Sequence, residues 1–427
     1  MSNKIGFWSV FALVTGSQIG STILVAPATL AQYGVFSLVG WLISGLGAIA
    51  LCFVFASLCS RFPQTGGPHT YVNHLFGPAA AFFTGWTYWV VSWVSSTIVV
   101  ITAVGALSPF LGEVSKFSEL AMQISLLLII GFLNLRGVRA AGRAELVLML
   151  MKFTPLIIIP LAALFYFDVD NFVISSQVSS MPVSSILSKV VLLTFFGFIG
   201  LECATTPAGD VNHPKKTIPK AIILGTLLVA LLYMFNSVGI MGIMPSAELA
   251  QSKAPYVDAS KIIFGGNWHF LIALIASITC IGSLNAWVLA SSQIVLGLAK
   301  DGLMPQIFAK KNQHEAPYFS VIISCAGTIP LLILTTNESL AAQVNSIVDF
   351  SVTAFLFVYL ACCFALIKLQ LKDKESSLPE LFCGILSAIF CFWVIYETPI
   401  KSLCVAMLFV CSGIPVYFFW VKKHFSK

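Results

Sequence analysis

Residues 8–34, WSVFALVTGSQIGSTILVAPATLAQYG, are long and apolar enough to cross a bilayer, yet the middle of the stretch, Gly16 to Thr22, is polar and glycine-rich. Such a middle is poorly suited to helix. In hydrocarbon an unsatisfied peptide group costs several kcal/mol, so non-helical backbone at mid-membrane persists only where protein buries it or where it lines a wet cavity. Solute carriers use a break of this kind to bind cargo. Freed amides at the start of a half-helix hold an anion, and freed carbonyls coordinate cations. A helix-packing face of small residues is the simpler reading of the stretch taken alone.

A second break weakens that simpler reading. The sixth apolar stretch, SKVVLLTFFGFIGLECATTPAGDV, is interrupted at Gly197-Phe198-Ile199-Gly200, shortly before Glu202. Interruptions in a first and a sixth span are the placement expected of two inverted five-span repeats that meet at a mid-membrane site.

Composition agrees with a polytopic membrane protein. The chain has 427 residues, of which 58% are hydrophobic and 9% charged, against a soluble norm of about 25% charged. Apolar runs of about 20 residues predict twelve spans at 8–34, 36–59, 78–110, 118–135, 145–167, 183–208, 219–243, 268–298, 317–336, 344–368, 380–397 and 402–421. The whole of 1–427 reads as one transmembrane domain, with inverted repeats over roughly 8–167 and 183–368 and two extra helices over 380–421. The first stretch is too long for a cleavable signal and should remain as a span. Lysines and arginines gather in the N-terminus and even-numbered gaps, leaving only Lys116, Lys253, Lys261 and Lys401 on the other side. By the positive-inside rule both termini are cytoplasmic.

The function classes excluded are informative. No polar gap is long enough for a nucleotide-binding module, and neither a Walker-type nor a GxGxxG loop is present. GxSxG and HExxH are also missing, so neither ATP-driven pumping nor hydrolysis has visible residues, and no cofactor or metal is implied. The 11 cysteines lie mostly inside apolar runs and read as small apolar residues. A net charge of +6 follows from membrane topology and does not call for a nucleic-acid partner.

Few ionisable residues fall well inside these spans, and two stand out: Glu202 beside the second break and Lys152 in the fifth span. A charge at mid-bilayer costs at least about 2.5–3.5 kcal/mol, so each should face a cavity or a partner and is a candidate proton carrier. A buried ion pair is the structural alternative for Lys152. Asp349, at the start of the tenth span, reads as interfacial. Tyr88 and Trp93 in the third span and Trp287 in IGSLNAWVLASSQ are candidate walls for a cationic side chain, a contact worth about 2 kcal/mol when desolvated. Tyr88 and Trp287 are expected on opposite sides of one cavity. The segment FPQTGGPHTYVNHLFG reads as a solvated cytoplasmic loop with a short helix over 69–76, its His69 and His74 unengaged.

These segments resemble the amino acid–polyamine–organocation superfamily, and within it the basic amino acid/polyamine antiporters, which include arginine/agmatine exchangers. The likeness rests on GSQIGSTILVAP, PQTGGPHTYVNHLFG, FFGFIGLECATTPAGDVNHPKKTIPKA and IGSLNAWVLASSQIVLGLAKDGLMPQIFAKKN, and it covers nearly the whole chain. It implies an all-α fold of about twelve transmembrane helices, a LeuT-type 5+5 inverted repeat with helices 1 and 6 broken. It further implies a substrate held near Ile19, Gly20, Ser21 and Thr22 and near Phe196 and Ile199. Tyr88 matches a gating aromatic, Trp287 an aromatic against the substrate's side chain, and Glu202 an acid implicated in pH response.

The departures from that pattern matter. A Gly-Ser-Gly becomes Gly20-Ser21-Thr22, a tryptophan becomes Phe196, and a third-span asparagine becomes Ser96. Lys152 resembles the lysine of proton-coupled carriers whose ammonium occupies a sodium position. The resulting expectation is a secondary active transporter in a bacterial inner membrane, exchanging or proton-coupling a cationic amino acid or its amine. A proton symporter of neutral amino acids and a substrate-binding nutrient sensor stand as alternatives. Relatives in the resembled family are often dimers.

Overall fold

The computed structural model describes residues 4–112, 114–252, 254–336, 340–372 and 377–422, with backbone alone over 340–349, so the side chain of Asp349 lies outside the described residues. Among the described residues the chain is helical, with a single extended pairing, a parallel bridge between Ile5 and Val211. Twelve helices are long and apolar enough to cross a membrane. They are α1 Phe7–Ala31, α2 Phe36–Arg61, α3 Pro78–Gly105, α4 Lys116–Asn134, α5 Val138–Tyr166, α6 Val183–Thr205, α7 Pro214–Met241, α8 Trp268–Lys300, α9 Tyr318–Thr335, α10 Phe350–Lys372, α11 Leu378–Glu397 and α12 Ile400–Lys422.

Two of these are not continuous. The first consists of helices Phe7–Gln18 and Ser21–Ala31. The sixth runs as helix only to Phe195, then as a 3₁₀ turn over Phe196–Phe198, and resumes as 3₁₀ at Cys203–Thr205. Both interruptions sit in the interior, where α1 and α6 are enclosed by α2, α3, α7 and α8. The apolar side chains that ring the outside, such as Phe117, Phe165, Leu334 and Phe419, are exposed because lipid is their solvent. Helices α4, α9, α11 and α12 are the least buried of the set and form the periphery.

Small residues and aromatics set the close approaches. Trp41 of α2 stacks on Tyr233 of α7 with centroids 4.5 Å apart. Gly85 of α3 sits against Leu298 of α8, where any side chain would collide. The fifth helix begins at Val138, seven residues before its apolar run was expected to begin, because Leu135–Gly137 is a tight turn after α4 and Gly137 adopts φ +87°. Glu145 is thereby drawn two turns into a span rather than left at its edge.

The chain's first described residues are tied to the far end of α6. The Ile5 amide donates to Asp210 O at 2.9 Å, and the Asn212 amide donates to Ile5 O at 2.9 Å.

The segment after α2 departs from the expected solvated loop. Pro68–Phe76 is a short helix, but Pro68 to Val72 are buried. His69 has no exposed surface; its Nδ1 lies 3.1 Å from Gly66 O and its Nε2 3.2 Å from Asp301 Oδ2 at the end of α8. His74 stacks on Phe62 at 4.5 Å. A polar loop can pack inside when its polar groups find partners there, and the His69 ring does so at both nitrogens.

Candidate functional site

The last turn of Phe7–Gln18 leaves carbonyls with no partner inside the helix. Side chains from three other helices meet them. Lys152 Nζ of α5 donates to Gly16 O at 3.4 Å and Ile19 O at 3.3 Å. Ser283 Oγ of α8 donates to Ser17 O at 3.3 Å, and the Tyr233 hydroxyl of α7 donates to Gln18 O at 2.8 Å. The following helix, Ser21–Ala31, starts at Gly20 without any side-chain cap. Its first-turn amides receive no cap from a side chain, and the partial positive charge of a helix start lies behind them.

The second break is stitched to the first. The Tyr233 hydroxyl, besides reaching Gln18 O, lies 3.1 Å from Gly197 O. Gly200 adopts φ +104°, a conformation that disfavours any side chain, and a Cβ there would come within 3.0 Å of Ser17 and 3.2 Å of Trp287. Its amide donates to the Tyr359 hydroxyl at 3.2 Å, and its carbonyl accepts from Ser17 Oγ at 2.9 Å.

Between the breaks lies a small cavity of about 20 Å³, far below the ~300–1,000 Å³ typical of ligand pockets. From α1 come Ser17, Gln18, Gly20, Ser21 and Thr22; from α6, Phe196 and Ile199; from α3, Ser95 and Val99; from α8, Ser283 and Trp287. None of these side chains is ionisable, so charge at the cavity comes from the helix ends that meet there.

The structure rearranges several residues singled out in the sequence. Gly20, Ser21, Thr22, Phe196, Ile199 and Trp287 do converge on the cavity. Ile19 does not line it; its side chain is buried elsewhere, and its carbonyl is taken by Lys152. Tyr88 is not across from Trp287 but beside it, with ring centroids 6.4 Å apart and Phe355 edge-on to Tyr88 at 5.4 Å.

Trp93 and Ser96 are turned away as well. At about 100° per residue, Val99 lies about 40° from Ser95 around α3, whereas Ser96 lies about 100° away and Trp93 about 160°. Trp93 accordingly packs on Trp89 at 4.5 Å and against Gly327 of α9. The Ser96 hydroxyl bonds back to Ser92 O at 2.8 Å. Ser95, not singled out from the sequence, takes the cavity position.

The buried charges stand beside the cavity. Glu202 is fully buried, its Oε2 accepting from the Tyr359 hydroxyl, while Oε1 has no partner among the described residues. Through Tyr359 and Gly200 it is linked to Ser17 at the first break.

Lys152 pairs with Glu145, Nζ to Oε1 at 3.3 Å, and neither side chain has exposed surface. Glu145 Oε2 accepts from Asn285 Nδ2 of α8 at 3.0 Å, and Asn285 Oδ1 accepts from Asn134 of α4 at 3.2 Å. Glu145 escaped the sequence reading. The signal available was its spacing of seven from Lys152, which places both on one face of a helix two turns apart.

A mid-membrane cavity between two interrupted helices, with a bare helix start inside it and buried charges at its back, defines a secondary active transporter rather than an enzyme. The chain belongs to the amino acid permease family, whose pattern matches residues 5–422, and so to the amino acid–polyamine–organocation superfamily. It is 28% identical to the cadaverine/lysine antiporter of Escherichia coli (strain K12), over 99% of this chain and 96% of that one. It is 29% identical to the putrescine transporter PotE of Haemophilus influenzae, over 98% and 97%. The fold is shared with a Na⁺-coupled sialic acid symporter solved in a substrate-bound outward-open state, at a TM-score of 0.61 and 11% identity over 94% of this chain and 90% of that one.

Proposed function

We propose that this protein exchanges a cationic amino acid for its decarboxylated amine across a bacterial plasma membrane by alternating access. The observation that carries the reading is the uncapped start of Ser21–Ala31 at a small cavity that Trp287 also lines. A carboxylate seats on the amides of Ser21, Thr22 and Ile23. The side chain extends between Phe196 and Trp287, whose faces attract a cation. The two relatives named for lysine, cadaverine and putrescine support the charge and size of the cargo.

Contacts between helices support the inverted repeat of roughly 8–167 and 183–368, with 380–421 added. They occur in pairs exchanged by a shift of five helices: α1 against α7 with α6 against α2, and α5 against α8 with α10 against α3. The distribution of basic residues supports cytoplasmic termini. In this scheme Glu202 exchanges a proton with the cavity side through Tyr359. Lys152 fills a cation-like position at the first break, making transport independent of sodium.

A proton symporter of neutral amino acids is the second reading, favoured by the absence of any carboxylate from the cavity wall. Proteoliposomes loaded with lysine, cadaverine or nothing separate the two. Exchange predicts labelled lysine uptake only into loaded vesicles, with Trp287→Leu raising the apparent KM. Uptake of alanine or leucine into empty vesicles driven by an imposed pH gradient, with none of lysine, overturns it.

A further inference from the structure

Serines in the middle of a helix ordinarily turn the hydroxyl back to the carbonyl one turn earlier. On α3 this holds for Ser92, which donates to Tyr88 O at 2.6 Å, and for Ser96, which donates to Ser92 O at 2.8 Å. Ser95, between them, does not. Its side chain is 3% exposed, lines the cavity, and its Oγ has no partner among the described residues. A second cavity residue shows the same deficit. Gln18 spends both amide hydrogens, Nε2 donating to Val14 O at 3.0 Å and Thr226 Oγ1 at 3.1 Å, and its Oε1 is unpartnered.

An unmade hydrogen bond at a buried polar atom costs about 1–3 kcal/mol, and two in one small cavity point to a ligand that supplies donors. Gln18 Oε1 can only accept. The Ser95 hydroxyl can accept from a donor while its own hydrogen turns to a backbone carbonyl. An ammonium, with three hydrogens and no lone pair, satisfies such acceptors, and a methyl group of similar size satisfies neither. In a wall without carboxylates these neutral oxygens add to the aromatic faces in telling a cationic cargo from an apolar one.

We infer that Ser95, with Gln18, forms an ammonium-reading subsite that sets the preference of the cavity for substrates with a side-chain amine over apolar ones of the same carbon skeleton. This rests on the exchange reading above and gives the cavity its specificity-determining residues on α1 and α3.

The test uses full-length protein in proteoliposomes, with labelled lysine uptake competed by unlabelled lysine and by norleucine, which has the same backbone and chain length without the ammonium. Wild type should prefer lysine. Ser95→Ala should narrow the lysine-to-norleucine ratio of inhibition constants by roughly tenfold or more, the scale of a hydrogen bond to a charged group. Ser95→Thr, which keeps a hydroxyl, should retain most of the preference, and Ser92→Ala should retain all of it. A Ser95→Ala protein that loses affinity for both competitors equally, or for neither, overturns the subsite while leaving the exchange reading intact. Wild type that does not take up lysine under any loading overturns both. An uptake-negative Ser95→Ala protein is read by direct lysine and norleucine binding in detergent, where an unchanged ratio again refutes the subsite.

Discussion

Replacing Glu145 by Gln isolates the buried charge pair. The change keeps the shape and the hydrogen bond from Asn285 but removes the negative charge 3.3 Å from Lys152 Nζ. What remains around the ammonium is two carbonyls, Gly16 O and Ile19 O, in a place with no exposed surface. Breaking a buried ion pair from one side typically costs about 3–5 kcal/mol, whereas replacing both partners by neutral groups of similar volume is often close to harmless. With 427 residues and an unfolding entropy of about 2.1 cal/mol/K per residue, a loss of about 4 kcal/mol lowers the melting temperature by about 4–5 °C. Glu145→Gln should show that drop in detergent, followed by tryptophan fluorescence. The double change Glu145→Gln with Lys152→Met should recover most of it, since the two sites are directly coupled. A single variant that melts within about 1 °C of wild type, or a double variant that melts below the single, would refute the reasoning.

The remaining predictions concern the second break. Glu202→Gln removes the ionisable oxygen bonded to Tyr359; uptake measured between about pH 5 and 8 should lose its pH dependence while lysine binding persists, and an unaltered profile removes the proton role. Gly200→Ala forces a side chain into φ +104° within 3.0 Å of Ser17, a strain of about 1–3 kcal/mol. Its uptake should fall at least tenfold per inserted molecule, and wild-type uptake would show that the break tolerates a conventional backbone.

The two breaks are legible in the sequence because glycine-containing interruptions recur in a first and a sixth apolar stretch, a placement that helix packing by small residues does not call for. Their partners are less so. Tyr233, Ser283 and Tyr359, which satisfy the freed backbone, are each one of several polar side chains on their helices, and nothing local marks which carbonyl or amide each will meet. Glu145 was obscured by a boundary: hydropathy starts α5 where the apolar run starts, while backbone geometry starts it at Gly137. The choice of Ser96 over Ser95 is a matter of helical phase, about 100°, which a family match displaced by one residue inverts. His69 was misread because polarity was equated with solvent, although Asp301 gives it an interior partner.

The pairing of Ile5 with Asp210 and Asn212 has a mechanical consequence. It joins the entry of α1 to the exit of α6 through main-chain atoms, and Tyr233 joins the same two helices again at their middles. The start of α1 and the segment that follows α6 are thereby coupled through main-chain bonds, so a displacement of one is carried to the other.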